Sequence, residues 1–470
     1  MIFDNYTDVD LNAFQILIVG SGPAGLSLAL ELEKNNIKSV VIEAGGYNYS
    51  DESQEYYKGT HNNNIISDIS ESRLRQFGGT SSIWGGWCKP LNKQDYDNWE
   101  FNFKNLQKYQ KEACNILDIK NSFRESEFDE NFNQIEFQYS TVRFAEKYFN
   151  HIKKSKNIFL FLNTQLSHFE GSNGNISHAV CFNQKKKINF KNKHYVLCCG
   201  GIENSRILLW TKKNNQNLFK KDLPLGKFWM THYWTLAGVG LIDKNKFAQF
   251  MGSNFLDYDG SIHIGSTSSS KNLEKPLDIA AYFTPEDDIN FVKEVVKDIM
   301  CLAPELGKKI AKSFLNKSLK CGNIFMHLES EANEKNSIDL DFNSRDKNNI
   351  PRVKIDYKIS PQANKSAKKF LQNLALIFQK NDLGRLGMNK EIFNGQNFTN
   401  LGSFHHMGGT RIGTSPNDSV VDNDLKVHDI NNLFVSGSSI FKHSGYKNPT
   451  FSIIQFSLRL ANKIKSITKV

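Results

Sequence analysis

Hydrophobic residues fall along the chain in short runs, each broken by glycine or a polar stretch. Ile16-Leu17-Ile18-Val19 is a continuous, mostly β-branched run, which predicts a strand buried on both faces. It runs into Gly20-Ser21-Gly22-Pro23-Ala24-Gly25, after which Leu26, Leu28, Ala29 and Leu32 recur at helical spacing. Ser39–Ile42 then reads as a second strand ending at Glu43, so the pattern predicts a complete βαβ unit. Tyr195–Cys199 reads as another buried strand, entering Gly200-Gly201 and an apolar helix that begins Ile202-Glu203-Asn204-Ser205-Arg206. Towards the end, Leu433-Phe434-Val435 predicts a strand turning at Ser436-Gly437. Ile453, Ile454, Leu458, Leu460, Ala461 and Ile464 mark a last helix, with Pro449 where a first turn tolerates proline.

The first glycine turn has a physical job at each position. Gly20 permits the tight turn, Gly22 lets backbone approach a pyrophosphate, and Gly25 lets helix and strand pack closely. Pro23 and Ala24 open the helix, whose free N–H groups and positive dipole end suit phosphate. Glu43, at the end of the second strand, can accept both hydroxyls of a ribose, which favours FAD or NAD over NADP. The turn alone does not separate FAD from NAD.

Composition narrows the classes. With 470 residues, 39% hydrophobic and 23% charged, the chain can bury a large core as one big or two interlocked domains. The net charge is +10, but the lysines are spread among many asparagines without a basic cluster interleaved with aromatics, so no nucleic-acid partner is expected. Seven cysteines without a CxxC pair fit a reducing compartment and argue against disulfide-reductase chemistry. No cluster suggests a metal. The opening MIFDNYTDVD is acidic and polar and no apolar run approaches about 18 residues, so a cytoplasmic protein with neither signal peptide nor span is expected. Residues 288–319 mix apolar residues with lysines at helical spacing around Pro304. A helix packed on its own domain is expected there in preference to one lying on a membrane surface. The stretches around Asn62–Asn64 and Lys213–Asn217 read as exposed connections.

Residues 73–91, RLRQFGGTSSIWGGWCKPL, set Gly78-Gly79 and Gly85-Gly86 around Thr80, Ser81 and Ser82. Such a segment offers free backbone N–H groups and little bulk, which suits a flat cofactor or a diphosphate, and Trp84 and Trp87 argue against a solvated loop. Together with GSGPAG before it, and FHHMGGTRIG (404–413) and SGYKNPT (444–450) after it, the chain resembles the glucose-methanol-choline (GMC) oxidoreductase family from Ile16 to Ile464.

The resemblance implies an α/β fold: a Rossmann-like, doubly wound FAD-binding domain (12–100, 160–230 and 400–470) with an interleaved antiparallel-sheet substrate domain (101–159 and 231–399). The alternation of Ile338, Leu340, Phe342 and of Val353, Ile355, Tyr357 about an SRDKNNIP turn reads as a hairpin forming a wall of that second domain. By the resemblance, Gly79, Thr80 and Ser81 line the flavin and pyrophosphate, Gly201 brings backbone close to the cofactor, and Ser436, Gly437, Asn448, Pro449 and Thr450 contact the flavin ring. Some relatives attach FAD through a histidine in the second glycine segment. None lies between Gly78 and Gly86, so non-covalent FAD is expected.

Oxidising an alcohol removes a proton from oxygen and a hydride from carbon. A neutral histidine can take the proton, and a second polar group must hold the hydroxyl. His405 matches the family's catalytic histidine and Asn448 its His-or-Asn partner, with His406 as competitor for the base. Gly409-Thr410 departs from the commoner order, in which threonine follows a single glycine. His232, in a GKFWMTH stretch that resembles one beside the flavin, is read as structural. The expected activity is FAD-dependent oxidation of a small-molecule alcohol, a sugar, polyol or glycosylated intermediate, with the electron acceptor left open. A nicotinamide-dependent dehydrogenase and an inactive FAD-binding scaffold are the alternatives.

Overall fold

The computed structural model describes the chain apart from residues 5, 7–8, 12, 63–67, 97–98, 252–260, 267–276, 286–302, 304–318, 394–403 and 469–470. The helix expected over 288–319 therefore lies almost wholly outside the described residues.

Ile16–Val19 is buried at every position, as is Ser39–Ile42, because each sits inside a parallel sheet covered on both faces. In strand order that sheet runs Ile2–Phe3, Ile158–Phe161, Ser39–Ile42, Ile16–Val19, His194–Leu197, Leu433–Val435. All pairs are parallel, with Ile16 opposite Ser39 on one side and His194 on the other. Helices Pro23–Lys34 and Thr450–Thr468 pack on one another, and Gly200–Asn214 packs on the strand Thr164–Ser172. The third predicted strand stops at Leu197 rather than Cys199.

The second body is a seven-stranded antiparallel sheet in the order Gly384–Met388, Tyr233–Asp243, Leu319–Leu328, Ile279–Pro285, Ile262–Ser266, Phe132–Ile135, Glu125–Asp129. Its apolar face packs with the helix Pro361–Lys380 in a core of its own that includes Ile324, Met326, Phe370 and Leu374. The α/β architecture thus matches the expected one, a Rossmann-like parallel domain interleaved with an antiparallel sheet.

Three expectations are corrected. Segment 101–159, assigned to the substrate domain, divides: only its strands Glu125–Asp129 and Phe132–Ile135 join the antiparallel sheet. Phe101, Leu106, Leu117, Phe144, Ile152 and Ile158 are buried in the core around the parallel sheet. Amphipathic spacing shows that a helix has an apolar face, not which core receives it. The hairpin pairs Ser337–Arg345 with Pro351–Asp356 as predicted, but in a separate three-stranded sheet completed by Gly59–His61. A register shift between Asp341 and Arg345 ends the alternation, which leaves Phe342 48% exposed. Lys213, read as part of a loop, lies in the helix Gly200–Asn214.

Among the described residues no helix is long and apolar enough to cross a membrane, no group of side chains could hold a metal, and the six described cysteines are free.

Candidate active site

The first strand ends at Gly20, whose φ of +102° a side chain would rarely adopt and whose Cβ would stand 2.6 Å from the Cys198 carbonyl oxygen. Gly25 is a packing residue: a Cβ there would come within 1.9 Å of the Gly20 carbonyl oxygen. A Cβ on Gly22, the helix N-cap, would have nothing within 4 Å, so its face is open. The three glycines therefore divide as their spacing implies, two for close packing and one for approach.

Glu43 is buried, and its carboxylate accepts from Ser21 N (3.0 Å), Ser21 Oγ (2.7 Å) and Gly45 N (2.9 Å). A carboxylate has roughly four acceptor positions. About one remains, where two ribose hydroxyls were expected from the sequence. Burial raises the Glu43 pKa against the lowering effect of these bonds and of Arg75.

The second glycine segment folds into a 3-10 turn, Gly79–Ser82, laid against the first: Gly78 N donates to Ser21 Oγ at 3.3 Å, and a Cβ on Gly79 would stand 3.2 Å from Gly22 Cα. The Ser81 hydroxyl donates to Gly78 O and accepts from Phe144 N, so it braces the turn. At the third turn, Gly200 (φ +80°) has the open face, whereas a Cβ on Gly201 would strike the His406 carbonyl oxygen at 2.1 Å. Asn204 ties that turn to the last strand, accepting from Cys199 N and donating to Ser436 O and Ser439 Oγ.

These turns enclose one cavity of about 1890 Å³, counted out to its mouth. Gly20, Gly22, Pro23, Ala24 and Glu43 line one part, and Gly79, Thr80, Ser81 and Gly201 another. Gly437, Asn448, Pro449 and Thr450 line it together with His405 and His406. Of the expected cofactor residues, Gly25 and Ser436 do not. Ser436 follows directly on the strand, its N–H donating to Leu197 O, and its hydroxyl is paired with Ser457 at 2.8 Å. Gly437 (φ +124°) turns the chain, so Ser438 takes the lining position instead.

The reacting end is set by an antiparallel bridge in which Met230 and Met407 exchange both backbone hydrogen bonds, at 2.8 and 2.9 Å. In that register residue 232 falls opposite residue 405, and His232 Nε2 lies 2.5 Å from His405 Nδ1. Among the described residues the ring hydrogen bond of His405 runs through Nδ1, and the ring lines the cavity. His406 is held differently. Its Nε2 is 2.6 Å from Ser72 Oγ, its ring stacks on Trp229 at 5.6 Å, and its Nδ1 is buried without a partner. Burial pushes the His405 pKa down to about 4; burial, then the charges of Arg73 and His405, pushes His406 to about 3. Both rings are neutral at physiological pH. Only His405 offers a ring nitrogen to the cavity. Asn448 Oδ1 also lacks a protein partner, and Pro449 O accepts from Ile453 N at the start of the final helix.

Motif reading missed a buried ion network in the cavity wall. Arg73 pairs with Glu203 (2.7 Å), Glu203 with Arg206 (3.1 Å), and Arg206 with Asp346 (2.8 Å). Burial opposes ionisation of Glu203, yet Arg206 and Arg73 hold its carboxyl below the usual range. It also missed His327, stacked on His232 at 5.1 Å. A lone histidine in the otherwise apolar run Ile324–Leu328 was the one signal for it. The cavity fits a dinucleotide: open glycine faces, a helix N-terminus and Arg73 and Arg75 line its walls.

Residues 332–457, which hold His405 and Asn448, match the family described as GMC oxidoreductase, and residues 13–55, which hold the first glycine turn and Glu43, match an FAD binding domain. A fructose dehydrogenase large subunit from Gluconobacter japonicus is 26% identical over 275 residues, 58% of this chain. The match spans about half that protein, 47% of its length. Two solved structures share the fold at 12% identity. Pyridoxine 4-oxidase from Mesorbium loti has a TM-score of 0.62, over 96% of this chain and 99% of that one. An FAD-dependent oxidoreductase from Chaetomium thermophilum, in complex with a fragment, has 0.64 over 97% and 100%.

Proposed function

We propose that this chain, a GMC oxidoreductase, uses FAD to oxidise the CH–OH group of a small alcohol, a sugar or polyol, with His405 as proton acceptor. The observation that carries the reading is that His405 and Asn448 line one cavity with the dinucleotide-binding turns. Bound FAD supplies the acceptor for the hydride that leaves carbon. His405 takes the hydroxyl proton on Nε2, while an amide N–H of Asn448 donates to the oxygen of the same hydroxyl and limits the directions its C–H can point. The N-terminus of the final helix, Thr450–Thr468, lines the cavity beside Asn448 and favours negative charge there. Arg75, whose charge acts on Glu43, balances the charge of a diphosphate at the other end. The absence of a histidine between Gly78 and Gly86 supports non-covalent attachment. The relative named for fructose supports a sugar-like substrate.

An absorption spectrum of the purified protein, before and after anaerobic addition of a panel of sugars, polyols and alcohols, tests the reading. Flavin bands bleached by one substrate in the parent and not in His405→Ala are the expected result. Bands that no alcohol bleaches point to the inactive scaffold, and a protein that takes up no flavin sinks the proposal.

A further inference from the structure

We propose that His232 is a positioning residue that fixes the tautomer of His405, so that Nε2 of His405 is the bare nitrogen presented to the alcohol; the inference rests on His405 being the base, as proposed above. A carbonyl oxygen only accepts hydrogen bonds. His232 Nδ1 lies 3.1 Å from Gly445 O and therefore carries the ring's proton. A neutral imidazole has one N–H, which leaves His232 Nε2 an acceptor. The 2.5 Å contact between that nitrogen and His405 Nδ1 is then made by the proton of His405 Nδ1. His405 Nε2 is left with its lone pair, on a ring that lines the cavity and whose hydrogen bond among the described residues runs through Nδ1.

Both rings are neutral, as this proton placement requires: burial lowers the pKa of His405 to about 4 and holds that of His232 well below its ordinary value, the latter helped by the charges of His405 and His327. His232 is fully buried and does not line the cavity, so it acts only through its neighbour. An apolar side chain would fill the same space without engaging both nitrogens.

The arrangement also reaches Asn448. His327, stacked nearly parallel on His232 (16°), hydrogen-bonds the backbone of Tyr446. His327 in the antiparallel sheet and His232, just before the strand Tyr233–Asp243, thus hold successive residues, Gly445 and Tyr446, in the turn that delivers Asn448. Gly445 takes φ +54° there. One device aligns the proton acceptor and the hydroxyl holder from behind.

The test combines a spectrum with kinetics. In ¹⁵N NMR of histidine-labelled, FAD-loaded protein, with the resonances assigned by their loss in His405→Gln, His405 is expected to show a protonated Nδ1 and a bare Nε2. A protonated Nε2 in the parent overturns the inference without reference to any variant. His232→Leu is expected to lower kcat roughly 10²-fold, inside the ~10²–10⁴ that a positioned base contributes, with KM little changed. His232→Gln, whose amide oxygen can accept from His405 Nδ1, is expected to recover part of that loss. Equal damage in the two variants, or a loss confined to KM, reduces His232 to a packing residue and overturns the inference. If His405→Ala keeps its activity, the reading of the base fails instead, and the NMR result separates the two.

Discussion

At the glycine-turn end of the cavity, Gly20, Gly22 and Gly200 set backbone against the space and leave it bare. At the histidine end, His405, His406 and Asn448 fill the wall with side chains whose hydrogen-bonding capacity is partly unspent. The first end recognises a shape and a charge that backbone N–H groups can meet, so what it needs is the absence of bulk. The second must move a proton, so it needs a particular nitrogen with a particular lone pair. A backbone site is damaged by adding atoms, a side-chain site by taking them away.

His405→Ala is the sharpest break and the largest expected effect. It should lower kcat about 10³-fold while the flavin absorbance of the purified protein stays unchanged. The companion His406→Ala should act chiefly on thermal stability, through the lost stacking on Trp229 and the bond to Ser72, and keep most of the rate. Equal rate losses in the two would erase the distinction between the histidines.

Next in size is Gly25→Ala. Its Cβ meets backbone at 1.9 Å, which no rotamer relieves, so a loss of about 3 kcal/mol is expected in urea unfolding. Wild-type stability in this variant would mean that helix and strand are less closely packed than described.

The third prediction is acid sensitivity from the histidine end. His405, His406 and His327 are held neutral by burial, with pKa values of about 4, 3 and 3, against about 6.5 in an unfolded chain. Lowered folded-state values mean that the unfolded chain takes up protons first. Stability is present in full above about pH 6.5 and is lost as pH falls towards the folded values, by up to about 1.4 kcal/mol per pH unit for each ring. Asp278, raised to about 7 by burial against the pull of Lys447, and Glu43 and Glu329, also raised by burial, work in the opposite direction, while His232, lowered well below its ordinary value, adds to the three rings. Melting temperature measured from pH 7 to pH 5 should fall, and a flat profile would contradict the buried neutral rings.

The smallest effect is expected at Gly22→Ala. Nothing stands within 4 Å of the new methyl group and φ is −73°, so stability without cofactor should change by less than about 1 kcal/mol. FAD titration should nevertheless show weaker binding. An unchanged affinity would place the diphosphate away from this turn.

The backbone end was readable because its grammar is local. Gly20, Gly22, Gly25 and Glu43 lie within one βαβ unit, and strand, turn and helix periods place them without knowledge of the rest of the chain. Gly200 and Gly201 show the limit of that grammar: both line the cavity, but a Cβ would be free at the first and would strike the His406 backbone at the second, a difference set by a segment far along the chain. Ser436 is the same lesson, since its N–H goes to Leu197 and its hydroxyl to Ser457, a residue of the last helix, and not to the cavity. The helices within 101–159 were visible as helices, but their apolar faces could serve either core.

The sequence by itself determined the parallel-sheet domain, the phosphate-binding turns, the choice of His405 and Asn448 as candidates, and a cavity suited to a dinucleotide. Only the tertiary structure decided which histidine opens on that cavity, that His232 stands behind it, and that Arg73, Glu203, Arg206 and Asp346 close the wall as a charge network. The physical reason is reach. A turn's conformation is written in its own few residues, whereas the proton on an imidazole is placed by whatever sits across from it, here a ring 173 residues away in the chain.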